Sequence, residues 1–286
     1  MRNFSRREFT AILLAPFARA QSPRAESRTY RADAVILFLG LTIYRRAGVG
    51  GAQASLVEEG EGASLRRTLF FAGGSDPKRA RGLNRLGWIR EVVVGPEAAP
   101  SEATYFGVLS SSPEESLEHA RKVVEAAPPG RATFSAVSGQ NTPGHSHSAI
   151  THFEDAAGAI WSDRALIDHA HAAFQNKIDW RDTAWPKSPN QAPPTFLSQL
   201  ATLLKQRSRR ATGRYVYNEQ EFLLELDASA APDRDRLRPV RGRTRNLRTG
   251  KENLFRVWLE DTPGAIVPVR IEYQARSFLR LTFEAV

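Results

Sequence analysis

The chain has no cysteine. That excludes disulfides, thiolate metal sites and a lipid anchor attached through a thiol, whatever the redox compartment. It also lacks an apolar run long enough to cross a bilayer as a helix. The run Ala34 to Ile43 is ten residues, and a helical span needs about 20. There is no internal repeat, and no shift in composition cuts the 286 residues into two domains. Catalytic fingerprints are incomplete. Gly144-His145-Ser146-His147-Ser148 stops short of a nucleophile elbow, because serine stands in place of the last glycine. Gly48-Val49-Gly50-Gly51 fails the dinucleotide fingerprint, because Gln53 stands where a third glycine is needed. Asp33, Glu58, Glu91 and Glu154 fall on expected strands with no partner readable from sequence.

What is present begins with an address. Ser5-Arg6-Arg7-Glu8-Phe9 carries a twin arginine, a mildly apolar run follows from Ala11 to Ala18, and Ala18-Arg19-Ala20 fits a small-x-small cleavage box. Residues 1–20 therefore read as a twin-arginine export signal and residues 21–28 as a linker, and the expected location is the periplasm. The formal net charge is +9. Arg2, Arg6, Arg7 and Arg19 against Glu8 account for +3 of it, which leaves +6 for the rest. The excess sits in Lys78, Arg79, Arg81, Arg85 and Arg90, and in a second cluster from Arg234 to Lys251. Such a surface suits anionic lipid or an anionic envelope polymer. Nucleic acid is not an expected partner of an exported chain.

The C-terminal stretch is the most legible. Phe255, Val257 and Leu259 alternate with Arg256, Trp258 and Glu260. Val269, Ile271 and Tyr273 alternate with Arg270 and Glu272, and Leu279, Leu281 and Phe283 with Arg280, Thr282 and Glu284. Period two means antiparallel strands with one buried and one wet face. Upstream, Ala34 to Ile43 reads as a buried strand, and residues 53–59 and 64–72 as a hairpin about Gly60-Glu61-Gly62. The stretch Gly73 to Asn84 reads as a glycine-rich basic loop or short helix, and 88–94 and 105–109 as strands. Helices are expected from Ser112 to the Pro128-Pro129-Gly130 stop, from Ser162 to about Asn176, and from Phe196 to Arg210.

The Val-Trp-Leu strand at 257–259 followed by Val267-Pro-Val-Arg-Ile resembles the ends of exported bacterial proteins catalogued as domain of unknown function 3108. The likeness is clearest over residues 194–286. Val267 stands where that family tends to have leucine. The family is similar in fold to periplasmic lipoprotein carriers, so the resemblance implies a mainly β protein with helices (α+β), an antiparallel half-open barrel covered by helices. A single domain would span 29–286, with a helical insertion at about 110–210. The resemblance brings no catalytic residues.

Two site readings follow. A curved sheet must cover its apolar face with its own side chains or with something that leaves. Phe196, Leu200, Leu203 and Leu204, opposite Val257, Val269, Ile271 and Leu281, are the expected lining of a site for an apolar or amphipathic ligand such as lipid. In that reading Pro193-Pro194 and Gly213 are hinges that let the helix act as a lid. No cofactor is expected, and an interaction or structural role is open beside binding. The rival reading is a periplasmic metal-dependent enzyme, with His145, His147 and His152 as ligands.

Overall fold

A computed structural model describes residues 24–38, 41–76, 79, 86–97, 99–110, 134–153, 181–184, 190–218, 220–231 and 235–286. The export segment, the two helices expected after Ser112 and Ser162, and the basic positions 78, 81 and 85 lie outside the described residues.

One antiparallel sheet of 14 strands makes up the described chain. In chain order the strands are β1 (Arg24–Phe38), β2 (Leu41–Glu59), β3 (Arg66–Ser75), β4 (Leu86–Val94), β5 (Glu102–Ser110), β6 (Phe134–Thr142), β7 (His145–Phe153) and β8 (Arg181–Ala184). The helix α1 (Phe196–Lys205) follows, then β9 (Arg210–Tyr217), β10 (Gln220–Asp227), β11 (Arg238–Asn246), β12 (Glu252–Leu259), β13 (Arg270–Arg276) and β14 (Leu279–Ala285). Strands β1 to β8 form an up-and-down meander, and so do β9 to β14. The two meanders join where β1 pairs with β14, Tyr30 opposite Ala285 and Ile36 opposite Leu279.

The free edge β9 is brought against β5 and β6 of the other meander without a ladder. Residues 191–194 run between the two walls. Ala192 N–H donates to the Pro100 carbonyl (2.9 Å), Asn141 Nδ2 to the Pro193 carbonyl (2.8 Å) and Val216 N–H to the Pro194 carbonyl (2.9 Å). Asn218 N–H reaches Tyr105 Oη across the same seam (2.9 Å), where the Tyr105 and Tyr217 rings lie 5.1 Å apart. The result is a nearly closed barrel.

This corrects the expected fold class. The α+β half-open barrel covered by helices is instead nearly all sheet, with a single α-helix longer than one turn among the described residues. Glycine misled the reading. Gly73 and Gly74 belong to β3 rather than to a loop, and Gly139 and Gly242 lie inside strands. A Cβ on Gly139 would meet the Tyr105 ring at 2.1 Å, and one on Gly242 the Phe255 ring at 2.0 Å. These glycines let large rings lie flat on the neighbouring strand, a use that interrupts apolar alternation.

Other boundaries moved too. β1 starts at Arg24, inside the segment read as linker, and pairs there with Glu58 of β2. The apolar run Ala34 to Ile43 is not one buried strand. It ends β1 and begins β2, and Leu41 and Ile43 are exposed. The helix stops at Lys205, since Arg207 takes a positive φ of 51° and Arg210 opens β9. The final three strands keep the expected parity: Phe255 pairs with Tyr273, Val257 with Ile271, and Ile271 with Phe283. On the opposite face Trp258 is buried beneath the Arg256 and Arg270 guanidinium groups, 5.4 and 4.6 Å from its ring. That makes it packing rather than a platform.

Candidate functional site: the barrel interior

Helix α1 lies inside the barrel, touching β3 and β4 on one wall and β9 and β10 on the other. Its sequence explains why it starts where it does. Pro193 and Pro194 forbid an earlier turn, and Thr195-x-x-Ser198 supplies a capping pair, with Ser198 Oγ accepting the Thr195 N–H (3.1 Å). The next orphan donors go to a strand. Glu91 of β4 accepts the N–H groups of Leu197 (2.8 Å) and Ser198 (2.9 Å), and Thr195 Oγ1 donates to the same carboxyl group. Glu91 is 0% exposed. Burial pushes its carboxyl up to about 7, against the pull of the Thr195 hydroxyl and the helix N–H groups. The other end of the helix is tied by Lys205 to Glu58 (2.7 Å) and to Glu97.

Both ends of the helix are thus fastened to the sheet. The structure gives no hinge at Gly213. That residue sits in the middle of β9, where a Cβ would meet the Gln199 side chain at 2.1 Å. Gly213 is a place of close approach for α1. Leu203 and Leu204 are buried in the core, and Phe196 packs on Tyr215 with ring centres 5.3 Å apart.

Burial of the inward side chains falls from one end of the barrel to the other. At the helix end, near the β12–β13 connection, Leu259 is fully buried, and Ile266 and Val267 close the floor. One row further, Val240, Val257, Phe283 and Ala32 are buried while their neighbour Ile271 is half-buried. The next row is Phe255, Tyr273, Leu281 and Ala34 in register across four strands. Here Phe255, Leu281 and Ala34 are half-buried and Tyr273 is 37% exposed, while Leu226, reached through Gly242 on the far side of Phe255, is buried. Leu279 and Ile36 form the last row, both half-buried, with Tyr44 exposed beside them at the rim.

Seven of the eight expected lining residues belong to this single cluster: Leu203, Leu204 and Val257 within it, and Phe196, Leu200, Ile271 and Leu281 packed against it. Val269 is half-buried and lies outside it, its N–H donating to the Trp258 carbonyl. Ile36, Phe255, Tyr273 and Leu279 were missed as lining, although each shares the parity of its named neighbours.

His145, His147 and His152 all fall on β7, a two-residue hairpin from β6 with Gly144 at φ +76°. Strand alternation gives positions 145 and 147 one face and position 152 the other. His145 is exposed, and the side chains at 147 and 152 lie outside what the structure describes. Among the described residues no group of three His, Cys, Asp or Glu is placed to hold a metal.

The buried acids acquire partners that spacing alone could not reveal. Glu91 holds the helix and Glu58 takes Lys205, while Asp33 accepts Arg45 Nη2 (2.6 Å) and the Gly48 N–H (2.8 Å). Glu154 lies outside the described residues. The signal for Glu91 was present: it shares the inward parity of Ile89 and Val93, where a charge needs a reason.

Comparison with known proteins adds little chemistry. No family model matches the chain, and no curated protein does. A solved structure that is similar is the β-barrel-like protein of domain of unknown function DUF1849 from Brucella abortus. It has 8% identity over 91% of this chain and 95% of that one, with a TM-score of 0.43.

Proposed function

We propose that this is an exported, non-enzymatic barrel protein that holds an apolar or amphipathic ligand, of the size of a lipid chain, at the end of the barrel away from α1. One observation carries the reading: the gradient of burial. A barrel filled by its own side chains would bury every inward position, yet on β1, β13 and β14 Ile36, Tyr273, Leu279 and Leu281 stay half-open. The reading moves the site from beneath a swinging helix to the opposite end, with α1 as a fixed floor.

The test is displacement of an apolar fluorescent dye by envelope lipid extract. The wild type should bind the dye and release it to lipid. Leu281→Glu should weaken binding at least about tenfold while thermal stability changes little, because the side chain is only half-buried. Leu203→Ala should do the reverse, losing stability while the folded fraction keeps its affinity. A wild type that binds neither dye nor lipid would mean that the interior serves structure alone.

The export reading rests on Arg6-Arg7 and the cleavage box. Replacing both arginines by lysine should leave full-length precursor in the cytoplasm. Efficient processing of that double variant would remove the twin-arginine assignment and leave the barrel reading untouched.

A further inference from the structure

Two hairpins end side by side at the half-open end of the barrel. β2 runs past β3, whose last partner is Gly50, so among the described residues 41–46 pair only with β1. The β13–β14 turn lies against this projection, with Leu37 N–H donating to the Phe278 carbonyl (2.8 Å). Together they expose Leu41 (71%), Ile43 (63%), Tyr44 (54%) and Phe278 (53%). Four large apolar side chains at one rim form the kind of surface that marks a docking site. The projection is held firmly. Asp33, 3% exposed, takes two hydrogen bonds from Arg45 and one from the Gly48 N–H across a register shift between the strands.

Charge selects the occupant. Residues 34–57 and 273–283 contain no aspartate or glutamate, but they do contain Arg45, Arg46, Arg276 and Arg280. Arg46 and Arg276 have no ion-pair partner among the described residues. The geometry points to an anionic phospholipid bilayer as the partner. Leu41, Ile43, Tyr44 and Phe278 enter the headgroup–acyl boundary, and Arg46 and Arg276 meet lipid phosphates. A second copy of this chain fits less well. It would bring arginine against arginine, and four side chains fall short of the about 800 Å² per partner that a specific interface buries. A bilayer sets no such minimum, because each side chain partitions by itself. The surface stands whether or not the interior holds a ligand.

Co-sedimentation of the mature protein with vesicles is the test. Vesicles of equal parts phosphatidylglycerol and phosphatidylcholine should bind it, pure phosphatidylcholine should bind it at least about tenfold more weakly, and high salt should release it. The triple variant Leu41→Ser, Ile43→Ser, Phe278→Ser should lose at least about tenfold in partitioning, and Arg46→Glu with Arg276→Glu should lose the preference for anionic lipid. Leu41, Ile43, Arg276 and Phe278 are exposed and Arg46 is half-buried with no ion-pair partner among the described residues, so the variants should melt like the wild type. Leu254→Ser, exposed on β12 outside the patch, should bind as the wild type does. Equal binding by the triple variant, or no binding by the wild type, would overturn the proposal. So would a dimer, seen by sedimentation, that the triple variant abolishes, since the patch would then be a self-interface.

Discussion

Glu91→Ala should lower the stability of the fold by about 3–5 kcal/mol. The substitution leaves the Leu197 and Ser198 N–H groups and the Thr195 hydroxyl without their acceptor in a site that water does not reach. Each buried donor so stranded costs about 1–3 kcal/mol. The loss should be local first, with amide exchange across 196–205 rising before the sheet opens. Glu91→Gln should cost less, because one amide oxygen still accepts a helix N–H. The same carboxyl group gives a pH signature. Its folded value is raised to about 7 from 4.5. The folded state therefore binds the proton more tightly than the unfolded chain, so stability falls as pH rises from about 4.5 to about 7 and then levels. The full fall is about 3 kcal/mol. Glu91→Gln should flatten that slope. A slope unchanged by the substitution would assign it to another group, and a loss below about 1 kcal/mol in the alanine variant would mean that α1 does not depend on this anchor.

Phe283→Ala should cost about 3–5 kcal/mol, the range for emptying a large aromatic from a core. Phe283 sits in the middle of β14, 7% exposed, with Ile271 and Ala32 beside it in register. It meets Phe71 of β3 edge to face at 6.3 Å. The contact joins the wall built from the first strands to the wall built from the last. The denaturant midpoint should drop with the slope of the transition unchanged. Arg280→Ala, one residue out of phase on the outer face, should cost under about 1 kcal/mol. Comparable losses at 280 and 283 would mean that the strand faces the other way.

The sequence made the alternating strands legible and left the barrel half hidden. From Phe255 to Phe283 the strand parity survives in the pairing, but the wet face does not: Trp258, Glu272 and Thr282 are buried on the outer side and Tyr273 is exposed on the inner one. The end of β3 was harder. Gly73 and Gly74 erase the apolar beat, so the end of a strand looks like a loop. The Ala34–Ile43 run misled in the opposite sense. Its composition says buried, yet Leu41 and Ile43 project from the rim. The helix was readable from Pro193-Pro194, Thr195 and its leucines. That it is a floor rather than a lid was not, because both of its tethers, Glu91 and Glu58 with Glu97, are about 100 residues or more away in the chain. Val269 was placed in the lining by alternation alone, and it falls just before β13, where the ladder has not begun.

The pairing of β1 with β14 also has a kinetic meaning. Tyr30 finds its partner at Ala285, so the first of the described strands to be made must wait for the last of them. Closing so long a loop is entropically expensive, and chains dominated by distant pairings fold slowly. Until β14 arrives, one edge of β1 is bare, with Val35, Ile36 and Leu37 along it, and bare apolar edges invite pairing with other chains. Arg31 and the Asp33–Arg45 pair lie on that same stretch, and charge on a waiting edge discourages such encounters. The β1–β14 ladder therefore cannot form before β14 has been made, and the time that β1 spends with a bare edge is set by the C-terminal hairpin.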